Sequence, residues 1–253
     1  MQYIDTIILA ILQGLTEFLP ISSSGHLVIG QKLLNINLPG NAFEVALHLG
    51  TLMSVITVFR GEIKAIIFNL SDSSNQYYIS ALVFGTIPAL LVGLLLRDSI
   101  SLIFDDIRFV SLSLICTGIM LMTSKFIVKR NVKLTLFIGL LIGLAQAAAI
   151  IPGISRSGAT ICMGILMGLS APEAARFSFL LSIPVIIGAG LLTAINIKTI
   201  PFGFDIVLLG IFFSYLVGWM SLKWLLTILN SGKLYWFGIY CLIIGFFCLY
   251  DLI

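Results

Sequence analysis

Charge is what this sequence has least of. Only 10% of its 253 residues are Asp, Glu, Lys or Arg, against about a quarter in soluble domains. So little charge cannot coat a water-facing surface, and intrinsic disorder, which needs low hydrophobicity, is excluded with it. The charge that exists is nearly balanced, 14 Lys and Arg against 11 Asp and Glu, which argues against nucleic acid as a partner. Cysteine offers no framework either. Cys116, Cys162, Cys241 and Cys248 lie inside apolar runs, in no CxxC or zinc spacing, and read as small buried hydrophobes. A basic n-region is missing, since the first charge is Asp5, so a cleavable signal peptide is not expected. The polar–apolar alternation of a transmembrane β-barrel is also missing.

What remains is 59% hydrophobic and gathered in long continuous runs, the composition of an all-α polytopic membrane protein. Runs long enough to span are expected at about 43–59, 79–96, 108–128, 174–197, 204–228 and 234–252. Two other stretches break in the middle. Residues 4–19 are interrupted by Pro20-Ile21-Ser22-Ser23-Ser24-Gly25-His26 before a short apolar piece to Leu34. Residues 134–151 are interrupted by Pro152-Gly153-Ile154-Ser155-Arg156-Ser157-Gly158 before a short piece to Met167. Irregular backbone at membrane depth survives only where protein or a wet cavity satisfies it, so both read as re-entrant hairpins or broken helices.

The two interruptions align. A shift of 133 residues lays Gln13 on Gln146, Ser22 on Ser155, Ser24 on Ser157 and Gly25 on Gly158. Matching interruptions in two halves point to a site at the repeat interface. The expected fold is therefore a single membrane domain, residues 1–253, built as an inverted-topology repeat. Residues 1–130 carry a re-entrant hairpin at about 4–34, residues 131–253 one at about 134–168, and each half adds three transmembrane helices. One set of ends then holds Arg60, Lys64, Lys125, Lys129, Arg130, Lys133, Lys223 and Lys233. The other holds Lys32, Arg97, Arg108 and Lys198, diluted by Asp98, Asp105 and Asp106. The positive-inside rule puts the first set in the cytoplasm, both termini outside, 97–107 in an external loop, and 60–78 and 129–133 in internal ones.

Ionisable groups inside a membrane are functional candidates by default. Gln13 and Glu17 are four apart on one helical face, and apolar Leu12, Leu15, Phe18 and Leu19 around Glu17 leave no room for a solvated charge. Ser22, Ser23 and Ser24 read either as helix N-caps or as an anion site at a helix start. His26 reads either as a helix–helix hydrogen bond or as an acid–base group. In the second break, Arg156 is the side chain suited to fork two phosphate oxygens, or to pair with Glu17, and Ser155, Ser157 and Thr160 add donors. Glu44 and His48 either line the cavity or pair across helices. Arg176 reads as a snorkelling side chain and Glu173 as a helix-start acid.

LQGLTEFLPISSSGHL at 12–27, PGISRSGAT at 152–160 and FGTIPALLVG at 84–93 together resemble the signatures of the bacterial undecaprenyl-diphosphate phosphatases of the bacitracin-resistance type. That resemblance implies an enzyme of the bacterial cytoplasmic membrane that removes the terminal phosphate of undecaprenyl diphosphate. Its work recycles the lipid carrier of peptidoglycan and depletes the lipid that bacitracin binds. It implies the inverted repeat with two re-entrant hairpins reached above, and an active site opening to the outer face. Carried over residue by residue, Glu17, Ser23, His26, Ser155, Arg156 and Thr160 are the expected active-site groups, and Gln13 fills a position that takes Glu or Gln. Ser23 is the expected nucleophile, or the residue that positions a water, with His26 or Glu17 handling the proton. Arg156, Ser22, Ser24, Ser155, Ser157, Thr160 and Gln13 are expected at the phosphates. A divalent cation, Mg or Ca, is implied as cofactor; with Gln at 13 it is expected on Glu17, the Gln13 amide oxygen, water and the diphosphate, and only when substrate is bound. The competing reading is a transporter or flippase of prenyl phosphate lipids, because broken helices in inverted repeats are also transporter architecture. Oligomeric state is left open, a homodimer included.

Overall fold

A computed structural model describes residues 2–36, 42–96, 106–126, 131–196, 203–229 and 232–251. Among them are eleven α-helices and one 3₁₀ turn. The first half contains α1 (Tyr3–Phe18), α2 (Ser23–Leu33), α3 (Ala42–Val58), α4 (Arg60–Phe68), α5 (Ser73–Leu95) and α6 (Ile107–Thr123), with the 3₁₀ turn at Ser124–Phe126. The second contains α7 (Leu136–Ala148), α8 (Arg156–Leu166), α9 (Ala171–Asn196), α10 (Phe204–Leu229) and α11 (Tyr235–Asp251).

The apolar runs fold as helices because a helix satisfies its own backbone where no water can. Four stretches are long and apolar enough to cross a membrane: Ser73–Leu95, Ile107–Phe126, Ala171–Ile195 and Phe204–Leu229. The run at 43–59 ends at Phe59 as expected, but the residues after it form the helix α4 rather than a loop. The chain turns through 71° between them, so α3 and α4 together make a fifth candidate only if counted as one bent span. The run at 234–252 forms a helix of 17 residues, about 25 Å long and slightly shorter than the ~30 Å hydrocarbon core. The chain is thus a polytopic helical membrane protein, with four to five spans by length among the described residues. Of the loop and end assignments, 97–105, Lys129, Arg130 and Lys198 lie outside the described residues.

The outer surface is that of a lipid-facing molecule. Leu95, Ile195, Phe204, Phe212, Trp224, Ile243 and Phe246 are all more than half exposed. The interior is built by Phe18, Ile142, Ile161, Phe177, Phe179, Leu181, Leu222 and Leu225, all buried. Without a hydrophobic drive between helices in lipid, small residues that admit close backbone contact set the packing. α5 meets α7 that way: a Cβ on Gly143 would stand 2.7 Å from the Cα of Gly85, and one on Gly85 2.8 Å from the Gly139 carbonyl. α6 meets α11 through Gly118 and Gly238, where an added Cβ would stand 2.9 and 2.8 Å from the facing carbonyl. α10 packs on both α1 and α3.

Four short helices do not fit the spanning pattern. α1 and α2 pack on each other across the break at 19–22, and α7 and α8 across the break at 149–155. At 11 residues each, α2 and α8 reach only about 17 Å.

Candidate active site

Each break ends in the same local structure. Ser22 caps α2, its Oγ accepting from Gly25 N at 3.3 Å, and Ser155 caps α8, its Oγ accepting from Gly158 N at 3.1 Å. The next-but-one serine stands beside the cap in both: Ser22 and Ser24 hydroxyls are 3.4 Å apart, Ser155 and Ser157 hydroxyls 3.3 Å. A serine cap satisfies one of the free amides of a helix start. The remaining free N–H groups give each terminus a partial positive charge.

The two tips touch. Ser157 Oγ donates to the Leu19 carbonyl at 3.2 Å. A Cβ on Gly25 would lie 3.3 Å from Gly153 Cα, tighter than usual, so a larger residue there would push the first tip away from the second. The residues that follow the caps, Ser23 and Arg156, therefore face one another across the contact. Both are half-buried, whereas Ser22, Ser155 and Ser157 are buried.

Between them lies Glu17, 6% exposed. Its Oε1 accepts from Arg156 Nη2 at 2.5 Å, and its Oε2 from Ser23 Oγ at 2.6 Å and from Gln13 Nε2 at 3.0 Å. His48 on α3 approaches from the remaining side, with Nδ1 3.4 Å from Glu17 Oε2 and 3.0 Å from Gln13 Nε2. One carboxylate thus joins a hydroxyl, a guanidinium, an amide and an imidazole, drawn from α1, α2, α3 and α8. Two buried atoms of this group have no partner among the described residues: Arg156 Nη1 and Gln13 Oε1. An unpaired donor and an unpaired acceptor held away from water are costly unless something completes them.

The structure brings together Gln13, Glu17, Ser23 and Arg156. Ser22, Ser155 and Ser157 form the caps that hold the two tips, and Ser24 stands beside Ser22. Thr160 is fully buried; its hydroxyl donates to the Arg156 carbonyl at 2.8 Å and meets Ser178 on α9. His26 is placed elsewhere. Its Nδ1 donates to the Ser22 carbonyl at 2.8 Å, which leaves Nε2 of a neutral ring to accept from Tyr240 Oη at 2.9 Å, and the two rings stack at 10°. Among the described residues it makes no hydrogen bond to Glu17 or Ser23. Glu44 pairs across helices, accepting from Gln31 at 3.1 Å. Arg176 is exposed, with its guanidinium 5.3 Å from the centre of the Tyr78 ring, and Glu173 stands in the first turn of α9.

The model of the bacitracin resistance protein BacA family matches residues 6–247. The chain belongs to this family. Curated relatives agree over nearly their whole length. An undecaprenyl-diphosphatase of Halothermothrix orenii is 40% identical over 97% of this chain and 96% of its own. One of Desulforapulum autotrophicum is 38% identical with the same coverage. Undecaprenyl-diphosphatase 2 of Bacillus thuringiensis is 37% identical over 94% of each. Membership of the BacA family covers both breaks and every helix that positions the site.

Sequence reasoning underrated His48. Its signal is rarity, since the chain has two histidines, and this one sits in an otherwise apolar run. Tyr240 and Ser178 carry no such signal: one is an aromatic among aromatics, the other a serine on a span, and only the fold shows what they touch.

Proposed function

We propose that this chain hydrolyses undecaprenyl diphosphate to undecaprenyl phosphate and inorganic phosphate. The observation that carries the reading is the bridge made by Glu17 between Ser23 and Arg156. A hydroxyl is a weak nucleophile until a base takes its proton, and Ser23 Oγ already donates to Glu17 Oε2 at 2.6 Å. The guanidinium that would hold the substrate is fixed by the other oxygen of the same carboxylate. Its free Nη1 and the amide ends of α2 and α8 are donors for a phosphate placed between them.

In this mechanism Arg156 and the two helix N-termini bind the diphosphate. Ser23 Oγ attacks the terminal phosphorus as Glu17 takes its proton, and undecaprenyl phosphate leaves. Water then cleaves the phosphoserine, inorganic phosphate is released, and the proton returns from Glu17 to Ser23. Charge building on the phosphoryl oxygens meets donors already in place, the usual main source of catalysis in phosphoryl transfer. His26 serves by holding the first tip to α11 through Tyr240, and Thr160 by tying the start of α8 to α9. A divalent cation, Mg or Ca, fits the oxygen donors Glu17 and Gln13 Oε1, the latter buried and unpartnered. Among the described residues no group of three or more His, Cys, Asp and Glu could hold a metal, so diphosphate oxygens would complete the shell. When bound, it would neutralise phosphate charge.

The same reading assigns the finer architecture. The halves are inverted repeats, each with one re-entrant hairpin (α1–α2, α7–α8) and three crossings (α3–α4, α5, α6; α9, α10, α11). Supporting this, several of the helix contacts correspond when the halves are exchanged. α1 packs on α10 as α7 packs on α5, and α3 packs on α10 as α9 packs on α5. α3–α9 and α6–α11 pair counterparts with each other. Both termini lie outside and the site opens to the outer face of the cytoplasmic membrane. Both tips come from one chain, so the site needs no homodimer.

The test is phosphate release by purified protein in detergent with a prenyl diphosphate and magnesium, beside folded Glu17→Ala, Ser23→Ala and Arg156→Ala. Release that collapses in all three supports the reading. A well-folded wild type that binds prenyl phosphate and releases nothing overturns it in favour of lipid transport.

A further inference from the structure

The polar site accounts for the diphosphate and leaves the tail of the substrate unplaced. A cavity of about 390 Å³, open on one side, lies behind the second tip between α6, α7 and α8. Its walls include Cys116 and Met120 of α6, Ala148 of α7, and Ala159, Met163 and Leu166 of α8. The polar group with most at stake there is Thr117, and its hydroxyl is already spent. It donates to the Gly153 carbonyl at 3.0 Å and accepts from Ser155 N at 3.1 Å. The interior therefore offers a polar ligand little to bind and an apolar one a fitted surface.

Its position singles out the occupant. Ile154, two residues before Arg156, lines the cavity. Ala159 and Met163 follow Arg156 by three and seven residues, on the same side of α8, and Leu166 continues the wall. A chain that starts at a phosphate held by Arg156 and runs along α8 meets this wall for about 15 Å. The cavity adjoins the second tip: Ile154 and Ala159, on either side of Arg156 in the chain, line it, and Thr117 in its wall holds the tip's backbone.

We propose that this cavity seats the isoprene units of the polyprenyl tail nearest the diphosphate. This rests on the phosphatase reading and extends it to tail recognition. A dry cavity of about 150 Å³ holds a six-carbon ring, so 390 Å³ takes on the order of fifteen carbons, about three five-carbon units. Discrimination among tails is then built within the first three units, and the rest of the chain lies in lipid.

Two measurements test this. The first compares phosphate release from one-unit dimethylallyl diphosphate and three-unit farnesyl diphosphate, in wild type and in Cys116→Trp. Cys116 is exposed at the cavity wall and outside the catalytic group, so the indole fills the cavity from its open side. The expected result is a KM for the three-unit substrate raised on the order of tenfold and a one-unit KM changed less than twofold. Equal effects on both substrates, or none on either, overturn the proposal. The second needs no turnover and covers a Cys116→Trp protein that fails to fold. Wild type is photolabelled with a farnesyl phosphate analogue carrying a diazirine on its third unit. Adducts within 116–123 and 159–166, competed by undecaprenyl phosphate, support the cavity, and adducts confined to other helices remove it. Failure of wild type to release phosphate from either substrate would instead count against the phosphatase reading, whatever the label map shows.

Discussion

Glu17 is the residue on which the site depends, since it touches Ser23, Arg156, Gln13 and His48 at once. Glu17→Gln keeps the size and removes the proposed base. General-base catalysis contributes about 10²–10⁴-fold, so kcat is expected to fall by at least a hundredfold in phosphate-release assays with folding intact; a fall under tenfold would retire Glu17 as the base. In the proposed mechanism His48 acts through Glu17. A hydrogen bond to a charged group contributes about 1.5–3 kcal/mol, or tenfold and more in rate if it forms fully in the transition state. His48→Ala is expected to lower kcat about tenfold with KM little changed, while His26→Ala should act mainly on stability, read as a lower melting temperature in detergent. At this scale the sequence was most legible where chemistry is scarce. Glu17, Ser23 and Arg156 stand out as polar groups in apolar surroundings, and the structure brings all three together. The partner of His26 was not legible, because Tyr240 lies 214 positions away and only the packing of α11 brings it near.

The elements that matter most are the two short helices that begin at the site. α2 starts after Pro20-Ile21-Ser22 and α8 after Pro152-Gly153-Ile154-Ser155, and the Pro and Ser of each made both breaks readable. Pro cannot continue the ladder, and serine is a preferred cap. Ser155→Ala removes the Gly158 cap and leaves the Ser157 hydroxyl without this neighbour. The expected loss is about 1 kcal/mol of stability, seen as a lower unfolding midpoint in detergent, together with weaker phosphate inhibition because the terminus of α8 is less well held. Unchanged stability would mean that the Leu19–Ser157 contact alone fixes the tip. Ser22 is the stricter case. It caps α2 at a φ of 69°, a left-handed conformation rare outside glycine, and this strain at a site tip fits a functional position. The bend after Phe59 falls where the apolar run meets Arg60-Gly61-Glu62; that the next residues form the helix α4 was not legible.

At the scale of the whole molecule, one carboxylate from the first half and one guanidinium from the second share a site only because two separated tips meet. Aligned serines 133 positions apart hinted at that meeting; the contact itself is a property of the fold. The meeting also makes orientation testable from the ends of a single helix. α6 runs from an Asp106 cap to Ser124, and the exposed Asp106 and Lys125 bracket it. In the orientation proposed above, the excess of basic residues at the Lys125 end would put that end in the cytoplasm and the site's mouth outside. In a background with Cys116→Ala, an impermeant maleimide added to intact cells should label Asp106→Cys directly and Lys125→Cys only after the membrane is opened. The reverse pattern would turn the molecule over. It would leave the catalytic group as described and place the reaction on the cytoplasmic face, so that the lipid would have to cross the bilayer before hydrolysis rather than after it.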